Sequence, residues 1–284
     1  MQVAWHGSAS VSLQWKDGPQ LCIDPMFSRA SEYGPWFIPN PGAPSWDEYL
    51  RLFHPDLVFV THGHFDHFDV ETIRRFVNET HATFLGSQSV VSAIQRYFHA
   101  PAKRLVALEP GHPVDIMGLA ILPVEGVHWL CGEEGDRAAA KFASRPDRWG
   151  VMPAGGPMLQ AFIGQAGNHR PSRWQVYVSG DTMAEGIPHL EADLAIMNVG
   201  TGVTNPITKE PEKVIIDLDD AARVISEKIR PQAVMPVHFD HDGVFLQPLN
   251  RGDIYRTLRD VSPHPQVIIP PYNTWVDVPG LNGT

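Results

Sequence analysis

Thr61-His62-Gly63-His64-Phe65-Asp66-His67 packs three imidazoles and one carboxylate into a short segment. Neutral imidazole nitrogens and carboxylate oxygens are ligands for divalent cations, and borderline metals such as zinc accept both. His62 and His64 are two residues apart, too close to share one helical face. On a loop they can grip one ion while Asp66 and His67 turn toward a second. An apolar run at 57–60 predicts a strand leading into this segment, and an amphipathic pattern predicts a helix from Asp69 onward. The segment is therefore expected on a strand-to-helix loop, where ligands can converge on one point. The competing reading is a polar loop with solvated histidines; the spacing and the strand–loop–helix context favour metal binding.

The order His62-x-His64-x-Asp66-His67 after a strand resembles the hallmark of the metallo-β-lactamase superfamily. That resemblance implies an α/β fold, a four-layer αβ/βα sandwich with mixed sheets, with a two-metal site at one edge. It also implies three further ligands downstream. His128, at the end of an apolar run, matches the ligand that joins His62 and His64. Asp181, in Gly180-Asp181-Thr182, resembles the bridging carboxylate, whose two oxygens can span two ions. His238, in Pro236-Val237-His238, matches the last ligand of the second site beside Asp66 and His67. Two divalent ions are expected, zinc first, with manganese and iron as alternatives. A hydroxide between them is the expected nucleophile, since such ions bring the pKa of water from ~15.7 to near 7. Asp66 or Asp181 would orient it, and His241 is the candidate proton donor.

The N-terminal segment Trp5-His6-Gly7-Ser8-Ala9-Ser10-Val11, followed by Ile23-Asp24-Pro25, resembles one branch of that superfamily. The branch holds L-ascorbate-6-phosphate lactonase and N-acylphosphatidylethanolamine phospholipase D-like hydrolases. Its usual pattern has a histidine where this chain has Ser8. Asp24 is either a plain turn residue or a carboxylate that orients a ligand imidazole. The resulting expectation is a metal-dependent hydrolase acting on a small ester, lactone or phosphodiester. A flavodiiron-like redox protein and a nuclease or RNA processor share the fold and are the alternatives. His64 in the second ligand place favours hydrolysis over the first. The length and charge oppose the second.

The elements that must position these residues are short. Strands are expected at 3–6, 10–15, 21–23, 57–60, 83–85, 105–108, 119–124, 158–163, 175–179, 194–198, 233–237 and 267–269. Asp17-Gly18 reads as a hairpin turn. Helices are expected at 69–78, 88–98 and 217–229, with a short one at 254–258, and Arg230-Pro231 should end the third. No internal repeat stands out. Two long loops, 25–44 and 131–157, are expected to act as lids because they carry the aromatics Phe27, Tyr33, Trp36, Phe37 and Trp149, and to shape the pocket with Trp129 and Trp149 as its walls.

The chain has 284 residues, 22 basic and 32 acidic side chains for a formal charge of −10, 14 His and two Cys. Its 43% hydrophobic content excludes disorder. A single metallo-β-lactamase-fold domain over 1–284 is expected. The acidic balance argues against a nucleic-acid partner, because phosphate neutralisation needs clustered cations. A small-molecule substrate is expected, and a homo-oligomer is left open. No run approaches a ~20-residue membrane span. Without a leader pattern, and with two Cys that cannot form a disulfide framework, a cytoplasmic setting is expected. Cys22 and Cys131 are read as inert. His6, His54, His81, His99, His112, His169, His189 and His264 are read mostly as surface residues.

Overall fold

A computed structural model describes residues 1–29, 38–129, 156–166, 173–204, 209–241 and 245–281. Tyr33, Trp36, Phe37, Cys131, Trp149 and His169 lie outside them. The first half runs β1 (Gln2–Trp5), β2 (Val11–Gln14), β3 (Gln20–Ile23), α1 (Trp46–Leu52), β4 (Leu57–Phe59), α2 (Val70–Glu79), β5 (Thr83–Gly86), α3 (Gln88–Phe98) and β6 (Leu105–Ala107). The second half runs β7 (Val114–Ile116), β8 (Leu119–Glu125), β9 (Leu159–Gln165), β10 (Arg173–Val178), β11 (Glu191–Asn198), β12 (Val203–Thr204), β13 (Pro211–Glu212), α4 (Leu218–Val224), β14 (Ala233–Val237), α5 (Arg251–Arg259) and β15 (Gln266–Val267). The last strand, β16 (Val276–Asp277), returns to the first half and pairs with β1.

Two seven-stranded sheets result, ordered β16-β1-β2-β3-β4-β5-β6 and β15-β14-β11-β10-β9-β8-β7. Each begins as an antiparallel meander and ends in parallel strands: β3 to β6 in one, β10, β11, β14 and β15 in the other. The sequence shows no repeat, yet the topology repeats. Both sheets are mixed, as the spacing of strands and helices implied.

Strand β4 shows why the layers stack. Leu57 and Phe59 enter the core between the sheets, while Val58 and the following Val60 pack with helix side chains such as Ile73, Phe76 and Ile94. All four are buried, so the strand reads as a continuous apolar run. A slip of one residue would exchange the two faces. The layer behind the first sheet includes α1, which composition did not announce. Its signal is the capping box at its start: Ser45 Oγ accepts from Glu48 N, and the Glu48 carboxylate accepts from Ser45 N at 3.0 Å.

Helix α2 starts at Val70, one residue past the expected start, and Asp69 before it does not cap it with its side chain. That carboxylate instead accepts from Phe27 N, Ser28 N, Ser28 Oγ and Thr72 Oγ1 at 2.6–3.0 Å. It pins the 27–28 segment against the helix. Phe27, expected on a lid, is accordingly buried, with its ring 4.6 Å from that of Tyr49, and belongs to the core. The expected helix 217–229 is α4 continued by a π-helical turn, Ile225–Ile229. Arg230, in the left-handed region before Pro231, ends it. Strands β7, β12, β13 and β16 are two or three residues long and lack a readable pattern.

Candidate metal centre

Four strand ends deliver the chemistry: β4 leads to His62–His67, β8 to His128, β10 to Asp181 and β14 to His238. The turn before Asp181 is tight. Gly180 has φ +54°, and a Cβ there would sit 2.8 Å from Met158 Sδ and 3.2 Å from Leu159 O. Two non-glycine residues at the site also adopt positive φ, Asp24 at +43° and His238 at +72°. Such strain is held only where surrounding contacts over-determine it.

The residues fall into two groups. His62, His64 and His128 offer ligand atoms within 4.8 Å of one another, and so do Asp66, His67, Asp181 and His238. In the first, His64 Nδ1 lies 3.0 Å from both His62 Nε2 and His128 Nε2. The tautomers follow from the other ring atoms. His128 Nδ1–H donates to Val214 O at 2.8 Å, so its Nε2 carries a lone pair. Thr61 Oγ1 spends its proton on Asp24 Oδ2 at 2.7 Å and accepts from His62 Nδ1–H at 3.0 Å, so His62 Nε2 is also a lone pair. One N–H on His64 cannot satisfy both. The remaining His64 Nε2 is buried without a hydrogen-bond partner among the described residues. A divalent cation facing all three lone pairs resolves the conflict, so the residues fit a metal.

In the second group, His67 Nε2 is 3.0 Å from Asp181 Oδ2, and His238 Nε2 is 3.3 Å from both His67 Nε2 and Asp66 Oδ2. Asp181 Oδ2 also lies 3.9 Å from His128 Nε2, so one oxygen faces both groups. The other oxygen, Oδ1, accepts from Asn198 Nδ2 at 2.7 Å. Asp181 therefore directs one oxygen toward both groups while Asn198 engages the other.

Asp24 resolves its two readings. It accepts from Thr61 N, Thr61 Oγ1 and His67 Nδ1 at 2.7–2.8 Å. It thus orients His67 directly and His62 through Thr61, one imidazole in each group. His6 is a correction of another kind. It is fully buried, with Nδ1 2.8 Å from Asn273 Oδ1 and Nε2 2.8 Å from Ser12 Oγ, and burial lowers its pKa to about 4. Its partner Asn273 is far away in the chain, so no local pattern could reveal it. His241 is also fully buried, within 3.9 Å of Asp66 Oδ2.

The charges differ between the groups. Burial first, then neighbouring imidazoles, holds His62 well below 6.5, and His64 falls to about 3 for the same reasons. Burial also lowers His128. Burial opposes protonation of His67 and His238 too, but Asp181 and Asp66, with Asp24 acting on His67, outweigh it and raise both. Asp66 and Asp181 resist burial through His67 and His238 and are lowered. The first group thus presents lone pairs, and the second presents carboxylate oxygens beside imidazoles that a cation would displace from their protons. At the rim, the Trp129 ring lies 6.5 Å from His64 and Phe245 stands edge-on to His238 at 5.2 Å. Asn198, at the end of β11, is the site residue that sequence reasoning missed; nothing local distinguishes it.

Residues 20–239 match the family described as the beta-lactamase superfamily domain, and the chain belongs to that family. Similar curated proteins include a UPF0173 metal-dependent hydrolase of Roseiflexus sp., 28% identical over 127 residues, 44% of this chain and 47% of the relative. The match therefore spans less than half the length of that relative. A UPF0173 metal-dependent hydrolase of Staphylococcus aureus is 23% identical over 84% of this chain and 86% of its own. Among solved structures, Igni18, a metallo hydrolase from Ignicoccus hospitalis, superposes with a TM-score of 0.65 at 20% identity over 98% of both chains. The expected fold class is thereby shown.

Proposed function

We propose that the protein is a metal-dependent hydrolase that holds two divalent ions, one at His62, His64 and His128, the other at Asp66, His67 and His238, with Asp181 between them. One observation carries this reading: Asp181 Oδ2 lies 3.0 Å from His67 Nε2 and 3.9 Å from His128 Nε2, within reach of both groups. Family membership and the metal-dependent hydrolase names of the relatives support it. Two bound ions would supply a hydroxide near neutral pH and polarise the oxygen of the scissile group. The chain's own residues prepare that chemistry. Asp24 and Thr61 fix the tautomers of His67 and His62. Asn198 keeps Asp181 Oδ1 occupied and Oδ2 aimed inward. Asp66, anionic and beside His238, is placed to orient an attacking oxygen.

A small ester, lactone or phosphodiester is the proposed substrate class, with zinc the first metal to supply and manganese and iron the alternatives. The test is a hydrolysis screen over lactones, esters, phosphodiesters and β-lactams with zinc or manganese supplied. Turnover should require metal and disappear in His62→Ala and Asp181→Ala. Full activity in either variant, or no metal taken up by the wild-type chain, would overturn the reading. Among the described residues no helix is long and apolar enough to cross a membrane.

A further inference from the structure

Ser8 stands against the second ligand group with all of its polar atoms in use. Its backbone N donates to Asp240 Oδ1 at 3.0 Å. Its carbonyl accepts from His238 N and from Trp5 Nε1, both at 2.9 Å. Its hydroxyl lies 3.2 Å from His241 Nδ1. The residue is fully buried and sits at φ +46°, against the left-handed His238.

The direction of the Ser8–His241 bond follows from the far side of the ring. His241 Nε2 is 3.1 Å from Ile38 O, and a carbonyl can only accept, so Nε2 carries the proton. In the neutral ring Nδ1 is then a lone pair, and Ser8 Oγ–H donates to it. The same Nδ1 is 3.9 Å from Asp66 Oδ2. The opposite tautomer would place an N–H beside that carboxylate oxygen, where a small ring rotation makes a hydrogen bond. That bond would engage an oxygen the second ion needs.

We propose that Ser8 is a positioning residue of the second metal group: with Ile38 O setting the His241 tautomer, the Ser8 hydroxyl engages Nδ1 and holds the ring from turning toward Asp66, keeping the Asp66 carboxylate available to a cation. The inference rests on the two-ion reading above and assigns a task to a side chain that touches neither ion. His241 is then a buried strut, with both ring nitrogens engaged.

Ser8→Gly isolates the hydroxyl. Glycine accepts φ +46° without strain and keeps every backbone bond of Ser8, so folding is preserved. The readout is a cobalt(II) titration of the metal-free chain, followed by ligand-field absorption. The wild-type chain should take up two equivalents. Ser8→Gly should bind one of them about tenfold more weakly, the scale of loss when a group orienting a metal ligand is removed, and the other unchanged. In an Asp66→Asn background, which removes the affected carboxylate, adding Ser8→Gly should change nothing further. Two equivalents in the wild type with unaltered affinities in Ser8→Gly would overturn the role of Ser8 and leave the two-ion reading standing. A single equivalent in the wild type would overturn both.

Discussion

His62, His64 and His128 meet as three neutral imidazoles, whereas Asp66, His67, Asp181 and His238 combine two carboxylates with two imidazoles that burial fails to neutralise. Both groups draw on the loop after β4. They differ in what stands behind them. The first is backed by the Thr61 hydroxyl and the Val214 carbonyl, which fix tautomers without adding charge. The second is backed by Asp24, which adds a buried negative charge beside His67. One loop can therefore build a neutral lone-pair site and an anionic site a few ångströms apart, because the supporting residues, not the ligands alone, set the charge. Asp181 and Asp24 are where the two meet.

Asp181→Ala should break the comparison most completely. It removes the oxygen that faces both groups and leaves Asn198 Nδ2 without its acceptor. Hydrolytic kcat/KM should fall by at least ~1000-fold, with metal content reduced in both groups, since such an ion supplies several kcal/mol of charge stabilisation. Steady-state kinetics and elemental analysis check it. Next comes Asp24→Asn. The amide offers one acceptor oxygen where three donors now converge, so metal affinity should fall about 10- to 100-fold. Thr61→Val should sharpen the contrast by weakening the ion at His62 more than the ion at His67, which keeps its own bond to Asp24. Competition with a chelating dye measures both.

The pH dependence of the metal-free chain should have opposite signs in the two groups. His62, His64 and His128 titrate below 6.5 when folded, so the unfolded chain binds more protons in that window and stability falls as pH drops from 6.5 toward about 3, where His64 titrates. His67 and His238 titrate above 6.5 when folded. Their contribution is full below 6.5 and is lost as pH rises through the raised values. Thermal unfolding should show His64→Gln flattening the acid limb and His238→Gln flattening the alkaline limb. Coinciding profiles would contradict the assignment. The smallest expected effect is Asn198→Ala. It frees Asp181 Oδ1 while the ligand itself stays, so kcat should drop only a few-fold, on the order of one lost hydrogen bond of ~1 kcal/mol.

Much of this site was legible before any coordinates. The four strand ends follow from apolar runs that stop at His or Asp, because a buried strand must be apolar and its C-terminal end is where side chains meet solvent or ligand; that His128, Asp181 and His238 join the His62–His67 segment is what the resemblance to the superfamily implied. The supporting residues were less visible. Asp24 has the look of a turn residue, Asn198 of an ordinary strand end, and Ser8 of a gap in a familiar pattern. Each acquires its task from a partner far along the chain: Asp24 from His67, Asn198 from Asp181, Ser8 from His241. Periodicity records which face is buried, not which polar atom lies across the core. His6 looks like a surface residue for that reason, and Phe27 like a lid residue because nothing local shows that Asp69 ties its backbone down.

The central claim is that two distinct groups each hold one ion. Metal-to-chain stoichiometry after zinc loading, measured on the wild-type chain and on His62→Ala and His238→Ala, tests it most directly. The account predicts two ions for the wild type and one for each variant, retained in the group left intact. A single ion in the wild type, or two ions persisting in either variant, would contradict it.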